Sequence, residues 1–148
     1  TGSMLINLDS EDDGEIFVGC AGGIDTTAYF NYTPVAAPED LCYVKVAISG
    51  LLGGHSGSDI NTGRGNANKL MARFVREAID ECAVSIASWH GGNMRNAIPA
   101  SCEVVLTLSK EGVEELKSIA GKAHPDDNPV LMIMRFGKQL PKVSSLVQ

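Results

Sequence analysis

The sequence predicts an α+β fold with the element order β-α-β-β-α-β, and three observations carry that prediction. Residues 41 to 49 alternate apolar with other side chains, the period-2 mark of a half-buried strand. Residues 66 to 81 repeat apolar side chains at helical spacing. Two further alternating runs, a second helical stripe and a final apolar run then follow in that order.

The first strand is Leu41-Cys-Tyr-Val-Lys-Val-Ala-Ile-Ser49, with Cys42, Val44, Val46 and Ile48 on one face. Glycines take over after it: Gly50-Leu-Leu-Gly-Gly-His-Ser-Gly57 and Thr62-Gly-Arg-Gly65 bracket a loop. The first helix spans Asn66 to Glu81 and carries Leu70, Met71, Phe74, Val75, Ala78 and Ile79 as its apolar stripe. Val84 to Trp89 and Cys102 to Leu108 read as a hairpin with a long connection, Trp89 being assigned to core packing. Ser109 caps the second helix, Gly112 is its N3 residue, and Val113, Leu116, Ile119 and Ala120 form its apolar face up to Gly121. Past the turn His124-Pro-Asp-Asp-Asn-Pro129, Val130 to Phe136 is the last strand. This order is the ferredoxin-like split βαβ arrangement, an antiparallel four-stranded sheet with both helices on one face.

The first forty residues fall outside that unit. They read as short strands at 5–9, 16–20 and 27–33, followed by a linker from Pro34 to Pro38. The expected division is therefore 1–40 as strands from the edge of another domain, 41–137 as the ferredoxin-like domain, and 138–148 as the start of a truncated helix. Both ends have a cut appearance, as in a piece of a longer protein. Thr1-Gly2-Ser3 is given no structural meaning.

Composition narrows the function. With 44% hydrophobic and 20% charged residues the chain reads as a soluble globular domain, and no apolar run approaches the ~18 residues of a membrane span. The net charge of −6 is local: without Asp9, Glu11, Asp12, Asp13 and Glu15, 13 acidic residues face 12 basic ones. Scattered Lys and Arg and only 5% aromatics exclude a nucleic-acid surface. Cys20, Cys42, Cys82 and Cys102 are too widely spaced for a metal knuckle and read as reduced core residues of a cytoplasmic protein.

Three stretches carry candidate chemistry. In Asp9-Ser-Glu-Asp-Asp-Gly14 the acids and glycine imitate the opening of a calcium loop, but Cys20 stands where a bidentate glutamate is needed. Asp12-Asp13-Gly14 is instead a hairpin turn, while Asp9 follows an apolar strand, where a carboxylate is a candidate metal ligand. In Gly53-Gly-His-Ser-Gly57 the small neighbours leave the His55 imidazole within reach of a ligand. Asp59, four residues on, imitates a zinc-ligand spacing, yet two ligands do not make a zinc site. His90-Gly-Gly-Asn-Met-Arg-Asn-Ala-Ile-Pro99 reads either as an ordinary turn rich in Asn and Gly or as a cluster of donors for a carboxylate or an oxyanion. Gly63-Arg-Gly-Asn66 at a helix start is a weaker anion site without the Lys-Ser/Thr of a phosphate loop.

Together, Leu5-Ile-Asn-Leu-Asp-Ser-Glu11, Gly19-Cys-Ala-Gly-Gly23, Gly53-Gly-His-Ser-Gly57, Gly65-Asn-Ala-Asn-Lys-Leu70 and Arg95-Asn-Ala-Ile-Pro99 resemble the aminoacyl-histidine dipeptidases, or cytosol non-specific dipeptidases, of the co-catalytic zinc exopeptidases. The resemblance covers residues 5 to 108. It implies that Asp9 is a ligand of one of two zinc ions at the edge of a catalytic domain. It implies that His55 reaches from a lid domain toward the scissile carbonyl and steadies the transition state, and that Asn96, with Arg95 as a weaker neighbour, contacts the dipeptide substrate. The ferredoxin-like unit then corresponds to the lid and dimerisation domain, with the catalytic domain of the same chain as its partner and a homodimer left open by an exposed sheet edge. The family's upstream His-x-Asp and Glu-Glu pairs and its downstream histidine ligand have no counterpart here, so this chain alone is expected to be inactive and to hold no zinc stably. The competing readings are a free-standing ferredoxin-like dimerisation or ligand-binding module and the lid of a related aminoacylase or desuccinylase.

Overall fold

The computed structural model describes residues 2–4, 6, 8, 13–19 and 22–122, together with the backbone of Val130–Arg135. The chain divides into two units, Thr1–Pro34 and Val35–Gln148.

In the second unit the four long strands are β1 (Cys42–Ser49), β3 (Ser85–Gly91), β5 (Cys102–Leu108) and β6 (Val130–Arg135). They form one sheet in the order β3-β5-β1-β6, and each neighbouring pair is antiparallel. Two two-residue strands, β2 (Gly54–His55) and β4 (Ala97–Ile98), make a separate ladder. The helices are α1 (Ala67–Cys82) and α2 (Lys110–Gly121). The expected split βαβ order is thus present, with the small ladder added to it.

The core lies between the sheet and the helices. Cys42, Val44, Val46 and Ile48 of β1 meet Cys102, Val104, Leu106 and Leu108 of β5, residue opposite residue. Met71, Val75 and Ala78 of α1 and Val113, Leu116 and Ile119 of α2 close over them. Burying each large aliphatic side chain contributes about 1.5–3 kcal/mol. Ile79, expected on the apolar stripe of α1, is 43% exposed.

The helix starts follow from side-chain chemistry. Ser109 accepts from the Gly112 N–H at 3.1 Å, as the sequence predicts. Asn66 does the same for α1, accepting from the Lys69 N–H at 3.1 Å. A second donor of α1, the Ala67 N–H, reaches the Pro99 carbonyl at 2.9 Å, so the first turn of the helix is tied to the segment after β4.

β5 is more deeply buried than a half-buried strand: Val105 and Thr107, on the face away from the helices, are as hidden as their neighbours. Its central place explains this, because Lys45 of β1 and Ser88 of β3 stand on either side of Val105. On that face Lys45 pairs with Glu103. A bulge between Ile86 and Ser88 lets both Ile86 and Trp89 oppose inward-facing residues, Leu106 and Val104. Trp89 packs against the core as expected.

In the first unit Asp13 and Gly14 form a turn, with Gly14 at φ +82°. The strands expected at 16–20 and 27–33 are not present among the described residues there, and Ile6 and Leu8 are not in a strand either. A strand is held by the ladder it joins, and no described segment supplies one to these residues, of which Ile16, Phe17, Val18, Ile24, Tyr29, Phe30 and Tyr32 stand exposed. Asp9, Asp12, Cys20 and the helix expected from Pro141 lie outside the described residues. Among the described residues no helix is long and apolar enough to cross a membrane.

Candidate functional site

The β2–β4 ladder joins the two loops that the sequence marks. Gly54 pairs with Ile98 and His55 with Ala97, and the Ser56 N–H donates to the Asn96 carbonyl at 2.9 Å. His55 and Asn96 therefore occupy adjoining backbone positions, with Arg95 next along the turn that the Ala97 N–H closes onto the Met94 carbonyl at 3.3 Å. All three side chains are exposed. Ile98, the partner of Gly54, is buried and anchors the ladder.

The turn after β2 wraps its own histidine. His55 Nδ1 accepts from the N–H groups of Gly57 at 3.1 Å and Ser58 at 3.2 Å. A nitrogen that accepts carries no proton, so in the neutral ring the proton sits on Nε2, which becomes a donor. Gly57 permits this approach, since a Cβ there would stand 3.1 Å from His55 Cε1.

Asp59 and Arg64 hold the base of the turn. Asp59 Oδ2 accepts from the His55 N–H at 2.7 Å, and its Oδ1 pairs with Arg64 Nη2 at 2.8 Å. Arg64 Nη1 donates to the Gly53 carbonyl at 2.9 Å and Nε to Thr62 Oγ1 at 3.2 Å. The zinc-like spacing of His55 and Asp59 is thus spent on the backbone amide of His55, and the guanidinium expected to attract an anion already has a carboxylate.

The opposite loop is fixed through α1. Asn68 Nδ2 donates to the Gly91 carbonyl at 3.0 Å, and Asn68 Oδ1 accepts from Trp89 Nε1 at 3.2 Å. Cys102, beside Gly91, has its thiol pushed up to about 11, chiefly by burial and then by the charge of Glu103, which keeps it a protonated core group. Cys42 and Cys82 are likewise free and buried, as expected for reduced core residues. Sequence reasoning missed the roles of Asp59, Arg64 and Asn68. A charged pair bracketing a glycine loop was the available signal for the first two, and a second asparagine beside the α1 cap for the third.

Among the described residues no group of three or more His, Cys, Asp or Glu side chains stands ready for a metal. These residues do not fit a zinc site by themselves, since catalytic zinc takes three protein ligands.

Residues 46–125 match the family described as Peptidase dimerisation domain. The chain is 42% identical over 116 residues to the cytosol non-specific dipeptidase of Escherichia coli (strain K12), an alignment covering 78% of this chain and 24% of that protein. It is similar to the crystal structure of aminoacylhistidine dipeptidase from Vibrio alginolyticus, with a TM-score of 0.55 and 35% identity over 76% of this chain and 24% of that one. The aminobenzoyl-glutamate utilization protein from Klebsiella pneumoniae shares the fold at 16% identity, with a TM-score of 0.54 over 66% of this chain and 28% of that one. The chain spans about a quarter of the length of these relatives. By its matched domain, its βαββαβ sheet and this identity, the chain belongs to the M20 peptidase dimerisation domain family.

Proposed function

We propose that this chain is the lid and dimerisation segment of a metal-dependent dipeptidase, acting on Xaa-His and other dipeptides in the cytoplasm. The observation that carries the reading is the β2–β4 ladder, which sets an exposed imidazole beside an exposed asparagine. His55 donates from Nε2 to the scissile carbonyl oxygen as negative charge develops on it, which is where a preorganised donor lowers the barrier most. Asn96 holds the dipeptide by its polar groups, and Arg95 offers a cation to the substrate's carboxylate.

In this reading residues 1–40 end a catalytic domain of the same chain and residues 41–137 are the lid. Asp9 supplies one carboxylate to a pair of zinc ions. The other ligands come from outside this segment, and no step at the metal is assigned to the residues described. Two copies pair through an open sheet edge to form a homodimer. The 148 residues alone do not turn over a dipeptide.

The test is His55→Ala in the full-length protein. Turnover of a dipeptide is expected to fall by about 100-fold or more with bound metal unchanged. Unchanged turnover, or lost metal, would show that His55 has another role.

A further inference from the structure

The His55 turn carries more polar structure than chain reversal needs, and it braces the backbone of residues 53 to 58 that holds one imidazole. Asp59 spends one oxygen on the His55 N–H and the other on Arg64, and Thr62 Oγ1 donates to the Asp59 carbonyl at 2.7 Å while accepting from Arg64 Nε. The guanidinium thus ties together the residue before β2, the carboxylate under His55 and the far side of the turn. Only Gly fits at 54, because a Cβ there would stand 2.7 Å from both Arg64 Nη1 and Asp59 Oδ2.

We propose that Asp59 and Arg64 are positioning residues that fix the tautomer of His55, so that Nδ1 stays an acceptor of the Gly57 and Ser58 N–H groups and Nε2 carries the ring proton. The inference rests on the lid reading for its purpose, since an oxyanion needs a donor and the opposite tautomer would face it with a lone pair. The geometry itself does not depend on that reading. Neither Asp59 nor Arg64 touches substrate in this scheme; each acts through the backbone of residues 53 to 58. Arginine is required at 64 because three bonds leave one planar fork in three directions, and a lysine ammonium on a flexible stem cannot reproduce them.

The experiment is long-range 1H–15N NMR of the ring nitrogens in the 148-residue chain at about pH 8, where an ordinary histidine is neutral. The His55 signals are identified by their loss in His55→Gln. The parent chain is expected to show an unprotonated Nδ1 and a protonated Nε2. Arg64→Lys, which keeps the charge, is expected to shift His55 toward a mixture of tautomers while His90 is unmoved, and Asp59→Asn to shift it less, because the amide oxygen still accepts from the His55 N–H. A His55 tautomer unaffected by Arg64→Lys in a folded chain, or a protonated Nδ1 in the parent, overturns the proposal. In the full-length protein Arg64→Lys should lower kcat by about 10-fold or more with KM little changed. If His55→Ala leaves that protein fully active while the tautomer still follows Arg64, the lid reading has failed and the clamp has not.

Discussion

The side-chain amide of Asn68 bridges the sheet and the first helix, donating to the Gly91 carbonyl at 3.0 Å in a place where Gly91 has no room for a side chain. A Cβ on Gly91 would stand 2.0 Å from Asn68 Oδ1 and 2.9 Å from Cys102 Sγ. Gly91→Ala should therefore lower the unfolding free energy by about 1–3 kcal/mol, as overpacking does, measured by urea denaturation. Asn68→Ala should cost a similar amount by removing the acceptor of the Trp89 N–H and a donor to the Gly91 carbonyl. A neutral Gly91→Ala would mean that the turn of α1 yields easily.

Gly54 gives a local test instead of a global one. It sits at φ +139° against Asp59 and Arg64, so Gly54→Ala strains the backbone by about 1–3 kcal/mol besides displacing the clamp. Hydrogen exchange should show the His55 amide losing protection while the amides of β5, in the centre of the sheet, keep theirs. Equal loss in both places would make the turn part of the cooperative core.

Leu106 is fully buried on the central strand, facing α1 and α2. Leu106→Ala should destabilise the domain by about 2–5 kcal/mol, read as a lower denaturation midpoint with an unchanged slope. A loss under about 1 kcal/mol would place the core elsewhere.

Burial raises the Cys102 thiol from 9.0 to about 11, so the folded chain holds its proton more tightly than the unfolded one. The associated stability is intact below about pH 9 and is lost as the pH rises toward about 11. Thermal melts across that window should fall more steeply for the parent than for Cys102→Ala. Native Cys102 should also resist alkylation at about pH 8 and react on unfolding. Rapid native labelling would contradict its burial.

Much of the fold was legible because it rests on local rules. The alternation of Cys42, Val44, Val46 and Ile48 marks a strand whatever its partners are, and a serine three residues before an amide it can accept from marks a helix start. The segment from Ile16 to Tyr32 shows the limit of the same rule. Its apolar residues are compatible with strands, yet strand formation needs a ladder from another segment, and the described residues offer none.

By itself the sequence determined the four long strands, the two helices with the Ser109 cap of the second, the apolar faces that close the core, and His55, Asn96 and Arg95 as polar candidates. Only the tertiary structure decided that His55 lies beside Ala97, that Asp59 serves a backbone amide, and that Asn68 holds Gly91. Periodicity reports which face of an element is buried, because that depends on neighbours three or four residues away. A two-residue ladder has no period, and a side chain reaching across the fold leaves no local pattern, so those pairings exist only once the chain has closed.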